Sequence, residues 1–285
     1  MLLITVNTLM KYTVVTTFNA EGYNSYGRRM IDTFLQTWPQ QVDLVVYTEN
    51  CTVDQSAPNL VVRDISVVSE LTAFKQKWQG VPKANGDITA DPVRNKRKDA
   101  VKPFKWNAIR FAHKTYSIFH CARNVNTDVL IWMDADTICH SKITVEDLDR
   151  LCSVQYELCF LGRRKKYSEC GLYSMKLHTK GIKRFLKEFQ RMYDHADQGI
   201  FLLEEWHDSF VFDAVRKQTP GLVEFNWSAS LGDLRSSKLN SPGEGHPLIN
   251  SEWGAYLDHL KGSRKKIGRS LPSDLKVKRT EAYWQ

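Results

Sequence analysis

Stretches of β-branched and apolar residues alternate with amphipathic ones along the first half of the chain. Tyr12 to Thr17 predicts a strand, Tyr26 to Trp38 a helix whose apolar side carries Met30, Phe34 and Leu35, and Asp43 to Thr48 a second strand. Strand, helix and strand in that order imply a parallel, right-handed unit. Ser69 to Lys102 is polar and broken by Pro82, Gly86 and Pro92, which predicts an insertion or flexible loop. Phe104 to Cys121 then predicts a helix that leads into five consecutive apolar residues, Val129 to Met133. A run this short and uninterrupted fits a strand buried on both faces. The expected fold is α/β: a Rossmann-like mixed sheet flanked by helices, in a single domain with a C-terminal extension.

The apolar strand runs directly into Asp134-Ala135-Asp136. Ligand sites of open α/β sheets lie beyond the carboxyl ends of the strands, so these two acids fall where chemistry is done. Carboxylates at i and i+2 can converge on one hard cation, and oxygen ligands favour Mg²⁺ or Mn²⁺ over zinc. The competing reading is a solvated acidic turn. There is no G-x-G-x-x-G after the first strand and no G-x-x-x-x-G-K-[ST] anywhere in the sequence. If the site binds a diphosphate, a metal has to carry its charge.

Charge adds a second theme. The 285-residue chain carries a net charge of +8, and seventeen of its 40 Lys and Arg bunch in four places. These are Arg94 to Lys102, Arg163 to Lys166, Lys261 to Arg269 and Lys276 to Arg279, all in predicted loop or tail, which suggests a polyanionic partner. The six cysteines show no zinc-ligand or C-x-x-C spacing and read as buried, reduced thiols. No apolar run approaches the length of a bilayer span, and the N-terminal stretch lacks a charged start and a cleavage site, so a cytoplasmic location is expected, in the host cytoplasm if the protein is phage-encoded.

Far downstream, His259-Leu260-Lys261-Gly262-Ser263-Arg264-Lys265 sets an imidazole beside a glycine and three cations. A strand ending in Asp-x-Asp, followed more than a hundred residues later by His-x-x-Gly-x-x-Lys, resembles the metal-dependent GT-A glycosyltransferases, and the late motif is similar to their glycogenin-like group. The resemblance implies a GT-A domain over residues 11–270, with a nucleotide-binding half at 11–137 and an acceptor half at 138–270, followed by a basic tail at 271–285. It implies Mn²⁺ (or Mg²⁺) held by Asp134, Asp136 and His259, with His246 as the rival ligand, and a nucleotide-sugar donor, most simply a UDP-sugar. Lys261 and Gly262 would lie beside the diphosphate, Thr16, Thr17 and Asn19 beside the nucleoside, Lys105 or Arg110 as a basic nucleotide contact, and Glu169 along the donor sugar.

Glu205 and Asp208 precede an apolar helix pattern and are the candidate catalytic carboxylates; for Asp208 the competing reading is a helix cap. Trp206 between them is either a ring face or core. The sequence has Trp206-His207-Asp208 where the glycogenin-like group has Asp-Gln-Asp, so the stereochemical outcome is left open. The charge clusters direct the acceptor expectation toward DNA bearing a hydroxymethylated base such as 5-hydroxymethylcytosine, of the phage type, reached by base flipping. The alternatives are a surface glycan or protein hydroxyl, a nucleotidyltransferase, and a non-catalytic nucleic-acid-binding protein.

Overall fold

The computed structural model describes residues 10–91, 93–96, 103–153, 155–163, 166–228 and 246–285. Arg97, Lys98, Lys102, Arg164 and Lys165 of the basic clusters lie outside the described residues.

The β-branched segment near the N-terminus is strand β1 (Tyr12–Asn19), followed by a helical turn, a π-helical turn (Tyr23–Gly27) and helix α1 (Arg28–Thr37). β2 (Asp43–Glu49) returns parallel to β1, and β3 (Leu60–Asp64) adds to its far side, also parallel. Helix α3 (Ala108–Asn124) leads into β4 (Val129–Met133), which pairs parallel with the other side of β1. All five residues of β4 are buried, as their continuous apolar run requires. β6 (Leu158–Leu161) and β7 (Glu169–Lys176) complete the sheet with β8 (Glu224–Asn226), in the order β3-β2-β1-β4-β7-β6-β8. β7 runs antiparallel to β4 and β6, so the sheet is mixed and flanked by helices as expected.

Chain direction diverges between β1 and β4, and the crevice beyond their carboxyl ends is the switch point of the sheet. Over that crevice lies a two-stranded antiparallel ribbon, β5 (Thr137–Cys139) with β9 (Leu257–His259). Pairing of Thr137 with His259 brings the late histidine next to the Asp-x-Asp turn.

One element corrects the sequence reading. The expected flexible loop from Ser69 opens with helix α2 (Ser69–Trp78), whose Leu71, Phe74 and Trp78 are buried in the core. Its polar composition belongs to the solvent side, and the apolar i, i+3, i+7 spacing is the helical signal. Residues 271–285 also fold back onto the domain: Trp284 is buried and donates to the Gly254 carbonyl at 2.7 Å. The described cysteines are all free, and five of the six are buried. No helix among the described residues is long and apolar enough to cross a membrane.

Candidate active site

Asp134 and Asp136 occupy the turn between β4 and β5. The backbone holds that turn firmly: the Asp134 amide donates to the Gly171 carbonyl at 2.8 Å, and the Leu260 amide donates to the Asp136 carbonyl at 2.9 Å. His259 Nε2 lies 3.0 Å from Asp136 Oδ1 and 3.6 Å from Asp134 Oδ2. One atom from each of the three residues falls within 4.8 Å of the others, an oxygen, oxygen and nitrogen set suited to a divalent cation such as Mn²⁺. Burial alone would raise the Asp136 pKa, but His259 and Lys265 outweigh it and hold the carboxyl well below the usual range. His259 shifts upward, since Asp136 overcomes the effect of burial.

The histidine fits here because Gly171 on β7 has no side chain; a Cβ at that position would overlap the His259 ring. His259 Nδ1 is buried with no hydrogen-bond partner, and Glu169 Oε1 is 3.8 Å away. Glu169 is buried among Lys261, His246 and Arg163, which together hold it ionised against the cost of burial. His246 is fully buried beside it, caps helix α7 (Pro247–Asn250) through Nδ1, and is pushed down to about 4 by burial. Glu169, His246 and His259 thus form a second group of potential ligands that shares His259 with the first. Glu169 is a single carboxylate attended by two cations, whereas the first set brings two carboxylates to one point, so Asp134, Asp136 and His259 are the better cation site.

The sequence reading passed over Lys114. It projects from α3 into the protein and bridges Asp134 Oδ1 at 2.9 Å and Asp208 Oδ2 at 2.6 Å. Burial disfavours its charge, yet the two carboxylates hold its pKa well above that of an ordinary lysine. Trp132 Nε1 also donates to Asp134 Oδ1, at 2.7 Å, so that oxygen has a fixed direction.

No protein-family model matches this chain, and no curated protein matches it. Among solved structures it is similar to the galactosyltransferase LgtC in complex with donor and acceptor sugar analogs, at 11% identity over 88% of this chain and 87% of that one, with a TM-score of 0.48. It is also similar to apo mouse xyloside xylosyltransferase 1, at 11% identity, 75% and 84% coverage and a TM-score of 0.40. For the bifunctional WbbM in its apo form, identity is 10% over 77% of this chain, the TM-score is 0.44, and the chain spans 39% of that protein's length. Likenesses this distant carry no functional weight, and the geometry has to supply it.

That geometry divides the candidate residues. Asp134, Asp136, His259 and Asp208 come together, joined by Lys114. Asp208 is the first residue of α6 (Asp208–Gln218), while the cap is His207, whose Nδ1 accepts from the Phe210 amide. Glu205 is occupied elsewhere: Lys105 bonds one of its oxygens and His207 Nε2 lies 2.9 Å from the other. Those partners outweigh burial and lower its pKa. Lys105 is therefore drawn to Glu205, and Arg110 is exposed on the first turn of α3; neither reaches Asp134 among the contacts of the described residues.

At the end of β1, Thr16 is fully buried, Thr17 donates to the Tyr47 carbonyl at 2.9 Å, and the Asn19 side chain caps the following helical turn. Trp206 is fully buried core. Lys261 pairs with Glu169, whereas Lys265, four residues on, reaches Asp136 Oδ2 at 2.9 Å and lies over the Tyr26 ring. Lys265 sits on α8 (Arg264–Ile267), between Gly262 and Gly268, both with positive φ. Such backbone suits glycine and lets the chain turn sharply on either side of the lysine.

Several basic residues expected to grip phosphates serve the fold instead. Arg94 is buried against Asp91 and the carbonyls of Phe201 and Leu203, Arg264 pairs with Asp274, and Arg279 binds the carbonyls of Ile249 and Ser251. Lys96, Lys166, Lys266 and Lys278 are exposed.

Proposed function

We propose that this chain is a GT-A glycosyltransferase that transfers a sugar from a nucleotide-sugar donor, a UDP-sugar in the simplest case, to a hydroxyl acceptor. The observation that carries this reading is the convergence of Asp134 and Asp136, near the middle of the chain, with His259, 123 residues after Asp136, at the switch point of the sheet, with Lys114 linking them to Asp208. Asp134, Asp136 and His259 would hold Mn²⁺ or Mg²⁺. A cation bound there supplies neutralisation of the departing nucleoside diphosphate.

The protein's own residues do the rest. Lys265 beside Asp136 adds positive charge on the same side. Lys114 fixes the Asp208 carboxylate, which makes Asp208 the candidate to receive the acceptor's proton. The acceptor oxygen bonds to the anomeric carbon as the bond from that carbon to the diphosphate oxygen breaks, and the nucleoside diphosphate leaves with the electron pair. Glu205, bound on both oxygens, holds the start of α6 in place. For the acceptor we propose DNA bearing a hydroxymethylated base, with phage-type 5-hydroxymethylcytosine as the model substrate. The net charge of +8 supports a polyanionic partner.

The test is nucleoside-diphosphate release with Mn²⁺ from a panel of nucleotide sugars, with hydroxymethylcytosine DNA, unmodified DNA or no acceptor, alongside Asp136→Ala. Release that needs the modified DNA and disappears in the variant supports donor and acceptor together. Release that ignores DNA sends the acceptor to glycans, and no release from any donor removes the transferase reading.

A further inference from the structure

Beside Asp208 the protein surface turns aromatic. Four rings surround the buried His207: Tyr167 at 4.3 Å between centroids, Phe111 at 5.9 Å, Phe210 at 6.2 Å and Phe104 at 6.4 Å. His207 itself is 3% exposed, whereas Phe104 is 46% exposed and the other three rings are partly so. Side chains of this kind at a surface, next to a site and in one cluster, mark a binding face.

The polar groups within the cluster are already committed. The His207 ring accepts from the Phe210 amide through Nδ1, so its proton sits on Nε2, facing Glu205. Lys105 and Glu205 bind each other, and the Lys105 carbonyl accepts from the amides of Trp206 and His207 at 2.8 and 3.1 Å. Arg163 is bonded to the carbonyls of Tyr167 and Ser168 while its guanidinium lies 5.0 Å from the Tyr167 ring centre. A polyol needs many free donors and acceptors, whereas a flat heteroaromatic ring needs chiefly π faces, and π faces are what this surface offers.

We propose that Phe104, Phe111, Tyr167 and Phe210 form a shelf that receives the acceptor as an unpaired or extruded nucleobase of DNA, stacked on the rings with its hydroxyl turned toward Asp208. The proposal rests on the transferase reading only for the role of Asp208. The stacking site itself does not require donor or metal. Phe104 and Tyr167 are the residues that carry it, because Phe104 is the most exposed ring and Tyr167 is backed by Arg163.

The experiment measures binding without donor and without metal, by fluorescence anisotropy of a labelled single-stranded oligonucleotide containing one hydroxymethylcytosine. Wild type is compared with Phe104→Ala, Tyr167→Ala and the ring-preserving Tyr167→Phe, and thermal melts report the folding of each. Loss of one stacked base weakens binding roughly tenfold. The expected result is that loss in both alanine variants, near-wild-type binding in Tyr167→Phe, and an unchanged melt in Phe104→Ala. Equal binding by wild type and Phe104→Ala overturns the shelf, as does binding of an oligosaccharide panel in place of the oligonucleotide. Ring-dependent binding without nucleotide-sugar cleavage keeps the shelf and removes the transferase; cleavage without oligonucleotide binding does the reverse.

Discussion

Lys114 shows how much one buried charge decides. It is the only cation that contacts both Asp134 and Asp208 among the described residues, and replacing it with methionine leaves two carboxylates facing each other across an apolar side chain. Removing one partner of a buried ion pair typically costs roughly 3–5 kcal/mol. Lys114→Met is expected to lower the unfolding free energy by an amount in that range, read as a fall in the denaturant midpoint, and to abolish donor cleavage. A midpoint equal to wild type would show that the bridge contributes no stability. The acids and His259 were legible in the sequence because a five-residue apolar strand pointed at the first two and a glycine-bearing basic segment surrounded the third. Lys114 was not, because α3 is buried on most of its circumference and a lysine within such a helix reads at first as surface.

At the scale of elements, α2 was hidden by its own exterior. Glu70, Lys75 and Lys77 gave Ser69–Trp78 a polar average, while Leu71, Phe74 and Trp78 pack inward against α3 and α5 (Lys180–Asp194). Phe74 contacts the rings of Tyr116 and Tyr193 at 5.8 and 6.1 Å, so Phe74→Ala opens space among large aromatic groups. The expected cost is about 3–5 kcal/mol. Urea titration measures it, and a loss under 1 kcal/mol would place α2 outside the cooperative core. β3 was overlooked for a related reason: as an edge strand its alternate residues are exposed, and Arg63 and Asp64 broke the apolar run. The strands β1, β2 and β4 were readable, and with them the parallel pairing of β1 and β2, since each has an unbroken buried centre; the place of β4 beside β1 came from the structure.

At the scale of the whole molecule, the C-terminal residues are tied to the ribbon that carries His259. Asp258, fully buried next to His259, accepts from the Ser270 amide and hydroxyl at 2.7 and 2.6 Å and from the Tyr283 hydroxyl at 2.7 Å. Tyr283 stacks on His140 with centroids 4.1 Å apart, and burial pushes the His140 pKa down to about 4. Its usual value is about 6.5, so on acidification the unfolded chain takes up a proton that the folded one refuses. His140 therefore makes no difference to the pH dependence of stability above that value and reduces stability progressively as the pH falls from about 6.5 toward 4. Melting temperatures at pH 7.5 and pH 5 are expected to differ less in His140→Phe, which keeps a ring against Tyr283, than in wild type. An identical difference would show that His140 does not drive the acid response.

Gly171 carries one more consequence. Because the His259 ring occupies the space where a Cβ would be, Gly171→Ala is expected to displace that ring and weaken Mn²⁺ binding on the order of tenfold or more, while the strand pairing around it persists. Paramagnetic titration of the ion reads this directly, and unchanged affinity would show that the ring tolerates the methyl group. The two positions are thereby coupled: in related chains, a side chain at the first is expected to appear together with loss of the imidazole at the second, so the pair would report which of them lack the proposed metal site.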